Sequence, residues 1–220
     1  MAAMKLKICG LTSPAQAAAV AEMGVDALGV IAATNSARFL PAAKRLELWG
    51  AVATANPSVL RVLVLVNPSN DQLDELRPEA GHQCLQLHGD ESVERCAELQ
   101  NELKIPIWKA LRLRSSADLN QIGAYANVVE KILLEPHVPD QYGGTGHSLP
   151  LNWLAGFKPP CPWWLAGGMG ASNVENALKD LEGIGSKPYG IDASSSVENS
   201  PGNKNIEKVK ILLDIIKKLA

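Results

Sequence analysis

Leu6-Lys7-Ile8-Cys9-Gly10-Leu11-Thr12-Ser13-Pro14 reads as a short apolar strand, a glycine and the start of a helix. Ser13, Pro14 and Gln16 hold the N-cap, first-turn and N3 places of a capping box, and Gly24 stands where such a helix stops. This strand, loop and helix unit recurs down the chain. Eight apolar or β-branched runs alternate with segments of helical spacing: Leu6 to Cys9, Ala27 to Ile31, Val59 to Val66, Cys84 to Leu87, Ile105 to Leu111, Val128 to Glu135, Trp163 to Ala166 and Tyr189 to Asp192. Ser172-Asn173-Val174-Glu175 predicts a second capping box, and Ile206, Val209, Leu212, Leu213, Ile216 and Leu219 form one apolar helix face. Eight βα units in 220 residues predict an α/β fold, a small (β/α)8 TIM barrel filling residues 1–220 as a single domain. An open doubly wound sheet is the alternative, because parallel strands read alike in both.

The bulk composition narrows the function classes. The chain is 46% hydrophobic and 20% charged, enough apolar material for one sizeable core. Its net charge of −2 and scattered Lys and Arg offer no basic field, so no nucleic acid is expected as partner. Cys9, Cys84, Cys96 and Cys161 show no C-x-x-C spacing and no histidine grid, which argues against a metal site or a redox pair and for reduced thiols. Met1-Ala2-Ala3-Met4-Lys5 lacks the apolar core of a signal peptide, and the longest apolar run, Val59 to Val66, is short and broken by Arg61. A cytoplasmic protein with no membrane partner is expected.

In a barrel, the chemistry sits where strands end and their following loops begin. That rim collects Cys9, Arg38, His88, Glu135, the Gly143-Gly144-Thr145-Gly146 segment, Gly167, Gly168, Asp192 and Ser194 to Ser196. Glycines at 167, 168 and 170 let backbone N–H groups approach a ligand ahead of a helix start, and hydroxyls after the eighth run would complete an anion cradle. The alternative is tight turns and nothing more. A thiol becomes a base or nucleophile when a cation or a helix N-terminus favours its thiolate, and the helix opening at Ser13-Pro14 offers one such terminus. Otherwise Cys9 is a small buried hydrophobe, Glu135 a solvated carboxylate, Arg38 a surface charge and His88 a hydrogen-bonded core histidine.

Five segments carry a resemblance. Lys7-Ile8-Cys9-Gly10-Leu11-Thr12, Leu85-Gln86-Leu87-His88-Gly89, Gly143-Gly144-Thr145-Gly146, Leu165-Ala166-Gly167-Gly168 with Asn173-Val174, and Gly190-Ile191-Asp192 through Val197-Glu198 stand in the order and spacing of the phosphoribosylanthranilate isomerases, which the chain resembles from Lys5 to Lys204. The resemblance implies an aldose-ketose isomerase of tryptophan biosynthesis that carries out an Amadori rearrangement of a small phosphorylated substrate with no cofactor and no metal. It implies Cys9 as general base and Glu135 as general acid. Arg38 would face the anthranilate carboxylate, with Asp192 near the substrate and His88 in a substrate-binding motif. Gly167, Gly168, Ser194 and Ser195 would hold the phosphate. A monomer is expected rather than a homodimer.

Three positions depart from the family pattern. Glu135 replaces the usual aspartate acid and is one methylene longer, with Asp140 as a substitute in the following loop. Ser196 stands where glycine is usual beside the phosphate segment, so either its Cβ is accommodated there or its hydroxyl joins the phosphate cradle. Ala37 replaces a proline before Arg38, which is expected to loosen that loop.

Overall fold

The computed structural model describes residues 3–139, 142–143 and 146–219. Asp140, Gly144 and Thr145, which carry the substitute acid and the centre of the third motif, lie outside them. Eight parallel strands close into a barrel: β1 (Lys5–Cys9), β2 (Ala27–Ile31), β3 (Leu60–Leu65), β4 (Cys84–Leu87), β5 (Ile107–Leu113), β6 (Lys131–Pro136), β7 (Trp163–Leu165) and β8 (Gly190–Ala193). Pairing of β1 with β8, Lys7 opposite Asp192, completes the ring and rules out the open sheet. No helix among the described residues is long and apolar enough to cross a membrane.

Each strand divides its side chains by its period of two. Leu6 and Ile8 of β1 face the helices and pack with Ala17 and Val20 of α1 (Pro14–Glu22), while Lys7 and Cys9 face inward. The inward residues of the other strands include Ala27, Val62, Cys84, Trp108, Leu133 and Trp164, a second apolar cluster in which Trp108 and Trp164 stack at 5.3 Å. These side chains plug the barrel, so it is a core rather than a channel, and polar groups collect at one mouth.

The outer ring is less regular than the eightfold reading. Helices α1, α2 (Ala42–Ala55), α3 (Val93–Leu103), α4 (Ile122–Ala126), α5 (Val174–Gly183) and α6 (Ile206–Lys218) follow six of the strands. After β3 the chain makes only 3₁₀ turns, Asn70–Leu76 and Pro78–Ala80, and Pro78 separates them; after β6 the described residues make one, Leu151–Leu154. β5 starts at Ile107 rather than Ile105 because Pro106 has no N–H to give the ladder. Val128 and Val129 donate to the Tyr125 carbonyl, closing α4, so β6 starts only at Lys131. An antiparallel ribbon after β8, β9 (Glu198–Ser200) with β10 (Asn203–Lys204), has no forerunner in the periodicity.

Both expected capping boxes are modified. Ser13 Oγ accepts the Gln16 N–H at 3.4 Å, but the Gln16 amide reaches Asn203 and the Lys204 carbonyl instead of returning to the cap. Asn173, not Ser172, precedes α5, and its side chain accepts from the Gly170 N–H at 2.9 Å and donates to the Gly168 carbonyl at 3.0 Å. Asn173 therefore staples the glycine loop rather than capping the helix.

Candidate active site

A cavity of about 230 Å³ opens at the C-terminal ends of the strands, and Cys9, Arg38, His88, Glu135 and Asp192 all line it with Gly167, Gly168, Ser194 and Ser195. Every described site residue expected from the sequence is therefore brought to one place, although what each side chain touches there was not legible beforehand.

Cys9 ends β1 and points its thiol at β2, where Gly29 leaves the space; a side-chain carbon at Gly29 would sit 2.7 Å from Cys9 Sγ and 3.2 Å from Lys7 Nζ. Lys7 is fully buried and donates to Asp192 Oδ1 at 2.9 Å. Burial works against the Lys7 charge, but Asp192 and a Cys9 thiolate outweigh it, so its pKa is raised. Burial pushes the Cys9 thiol up, Lys7 pulls it back, and Asp192 adds to the rise, so desolvation wins overall. The cation beside Cys9 is thus Lys7 on its own strand. Period two gives the signal that could have found it: a lysine inside an apolar strand, two residues before the thiol and on the same face.

Glu135 lies in β6 and is 5% exposed. Its Oε1 is 2.6 Å from His88 Nε2, and His88 Nδ1 is 3.0 Å from Gln86 Nε2. His88 thus lines the cavity while its ring bonds run to other side chains. The segment that carries it is pinned from behind by buried Glu91, which accepts from the Asn67 and Gly89 amides and from Lys109 Nζ at 2.8 Å.

Arg38 is clamped rather than free. Its Nε and Nη2 donate to both oxygens of Glu198 at 2.8 to 3.1 Å, a fork-to-fork pair, and Lys204 Nζ meets the same carboxylate at 2.6 Å. Burial disfavours the Glu198 charge, but the hydrogen bonds from Arg38 and Lys204 prevail and hold its pKa below the ordinary carboxylate value. Lys204 is lowered, chiefly by burial, against the pull of Glu198. Nη1 of Arg38 has no hydrogen-bond partner among the described residues, which leaves one edge of the guanidinium for a ligand. The loop with Ala37 in place of proline is held by the Arg38 N–H to Ser36 Oγ at 3.1 Å as well as by this clamp. Glu198 and Lys204 come from the β9–β10 ribbon, which no periodic signal announced.

The glycine loop has the left-handed backbone that L side chains resist: φ is +88° at Gly167 and +61° at Gly168. A Cβ at Gly168 would lie 2.5 Å from the Gly146 carbonyl, so glycine is required on space as well as on φ. Two of the three serines after β8 are committed elsewhere. Ser194 Oγ donates to the Cys9 carbonyl at 3.0 Å, and Ser196 Oγ donates to the Met169 carbonyl, tying the β7 and β8 loops together. The Ser196 hydroxyl is therefore spent on this tie, which leaves the accommodated Cβ as the alternative of the two that applies. Ser195 keeps its hydroxyl and N–H without a partner among the described residues, as Gly168 does its N–H.

Comparison with known proteins identifies the family and agrees with the fold. The family model described as N-(5'phosphoribosyl)anthranilate (PRA) isomerase matches residues 6–215. A relative from Synechocystis sp. named N-(5'-phosphoribosyl)anthranilate isomerase is 43% identical over 208 residues, spanning 94% of this chain and 93% of its own length. The crystal structure of phosphoribosyl anthranilate isomerase from Thermus thermophilus superposes with a TM-score of 0.79 at 30% identity, over 99% of this chain and 100% of that one. A phosphoribosyl anthranilate isomerase in complex with reduced 1-(O-carboxyphenylamino)-1-deoxyribulose 5-phosphate superposes with a TM-score of 0.77 at 26% identity, over 98% and 99% of the two chains. From Leu6 onward, strand by strand, the chain belongs to the N-(5'-phosphoribosyl)anthranilate isomerase family.

Proposed function

We propose that this protein is the N-(5'-phosphoribosyl)anthranilate isomerase of tryptophan biosynthesis, acting by general acid–base catalysis between Cys9 and Glu135. The observation that carries the mechanism is that a thiol on β1 and a carboxyl on β6 line one cavity from separate parts of the ring. Protonated Glu135 gives its proton to the furanose ring oxygen as the bond from that oxygen to C1 breaks, leaving an open-chain iminium. Cys9 thiolate then takes the C2 proton, and the electron pair moves into the C1–C2 bond to give an enolamine, which tautomerises to the ketone. The substrate ends with as many protons as it began with, while Glu135 has lost one and Cys9 has gained one, so both return to their starting states through water. Lys7 supports the thiolate by its charge and is itself held by Asp192.

Gly168 N–H and the Ser195 N–H and hydroxyl support the reading of a phosphate subsite, because among the described residues they are donors without partners on adjacent strand ends. The purified protein is expected to consume phosphoribosylanthranilate in a fluorescence assay, with the corresponding imidazole aminoaldose as the competing control. Specific activity is expected to stay constant on dilution, as for a cytoplasmic monomer. The exposed large hydrophobics among the described residues are three, Leu46 of α2, Ile211 of α6 and Tyr189 just ahead of β8, each from a different segment of the chain, which supports that state. Turnover of the imidazole compound alone would reassign the substrate.

Arg38 is assigned to the substrate carboxylate through Nη1. Arg38→Met leaves Glu198 paired with Lys204, so the fold is expected to persist. The Michaelis constant for phosphoribosylanthranilate should rise about tenfold or more, the weight of one or more charge-assisted hydrogen bonds. Inhibition by ribulose 5-phosphate, which has no carboxylate, should change far less. Equal losses for both would move Arg38 to the phosphate or to folding.

A further inference from the structure

We propose that Gln86 is a positioning residue for the acid, setting the tautomer of His88 and through it the oxygen of Glu135 that carries the transferable proton. The inference rests on the isomerase reading and names a residue outside the cavity lining. Gln86, His88 and Glu135 form one buried line across β4 and β6, with relative exposures of 0%, 6% and 5%. Its two links measure 3.0 and 2.6 Å.

The shorter link decides the ring. A neutral imidazole has one donor and one acceptor nitrogen. A carboxylate 2.6 Å from Nε2 is best met by an N–H, which places the ring proton on Nε2 and leaves Nδ1 as an acceptor. Gln86 Nε2 supplies the matching donor. In this arrangement Gln86 Oε1 has no partner among the described residues. Turning the amide over would present Oε1 to Nδ1, leave the NH₂ without that partner, and require the ring proton to move to Nδ1, away from Glu135. The amide orientation and the ring tautomer therefore support one another.

The chemical consequence falls on Glu135. With His88 Nε2–H fixed on Oε1, the proton that is given to the ring oxygen belongs on Oε2. That oxygen faces the loop after β6: a side-chain carbon at Gly143, which lines the cavity, would be 3.7 Å from Oε2. After transfer, the same Nε2–H remains in place on the carboxylate that has formed. Without Gln86 the ring is free to place its proton on Nδ1, its Nε2 lone pair then competes for the Glu135 proton, and the acid is lost to the substrate.

Gln86→Met keeps the length of the side chain and removes its donor. Two measurements test the proposal: kcat and KM, and the ring ¹⁵N shifts of His88, assigned by their loss in His88→Asn. In the unaltered protein without substrate, Nε2 is expected to be protonated and Nδ1 bare. In Gln86→Met the ring should become a mixture of tautomers, and kcat should fall about 10- to 100-fold, the range for losing a partner that orients a functional group. KM should stay nearly constant. A folded Gln86→Met with ordinary kcat, or with His88 still a single Nε2–H tautomer, overturns the proposal. So does an Nδ1–H or doubly protonated ring in the unaltered protein, a measurement that holds even where the variant fails to fold. The ring assignment is read without turnover, so an inactive native protein would sink the isomerase reading separately.

Discussion

Cys9→Ala is expected to lower kcat by about two to four orders of magnitude, the range for losing a general base, or roughly 3–5 kcal/mol of barrier. The thiol is the one group in the cavity that combines a position at a strand end with a buried cation, Lys7, on the same face of the same strand. Alanine leaves Lys7 paired to Asp192 at 2.9 Å, so the interior charge stays balanced and the barrel should unfold near its usual temperature. Cys9→Ser is the stricter comparison. It keeps a polar group of similar shape, but a hydroxyl is a far weaker acid than a thiol, and turnover should be lost to nearly the same extent. Initial rates at saturating substrate, with circular dichroism as the control for folding, decide the matter. Near-normal rates in Cys9→Ala would remove the base from β1 and leave the cysteine as a core residue.

Glu135→Gln should be as damaging, about 100- to 10,000-fold in kcat, while a product analogue still binds. The amide keeps an oxygen to accept from His88 and has no proton to give, so binding and catalysis separate. Glu135→Asp tests the geometry. Glu135 Oε1 reaches His88 at 2.6 Å, and an aspartate carboxyl, one methylene shorter, would be drawn back toward β6 and away from the ring. A displacement of about 1 Å can cost on the order of 100-fold, so a loss rather than a gain is expected even though aspartate is the usual residue of the family. Asp140→Asn should leave turnover within a few-fold of normal. Were Asp140→Asn crippling and Glu135→Gln mild, the acid would belong to the loop after β6.

How much of this was legible in the chain differs from element to element. Cys9, His88, Glu135 and Asp192 could be placed at one mouth because parallel strands alternate with return segments, and the ends of such strands in a barrel face one side. Even where α-helices were expected after β3 and β6 and the chain made 3₁₀ turns, the placement held, since any return segment that brings the next strand in parallel keeps the rim together. The glycines at 167 and 168 were equally readable, for a run of residues without side chains marks a backbone that must turn sharply or be approached closely.

The eight barrel strands, and with them the residues that share the rim, were readable along the chain because they follow from periods of two and 3.6 that act over a few neighbours. The partners of these residues came from contacts distant in the chain. Lys7 meets Asp192 from 185 positions away, Arg38 meets Glu198 from 160, and His88 meets Glu135 from 47. The first and third depend on the strands coming round into a barrel and the second on the ribbon after β8, and no local pattern carries that information. Burial is decided in the same way. The Cys9 thiol is held up by desolvation that its neighbours in the chain do not impose, since the walls that exclude water around it come from across the ring.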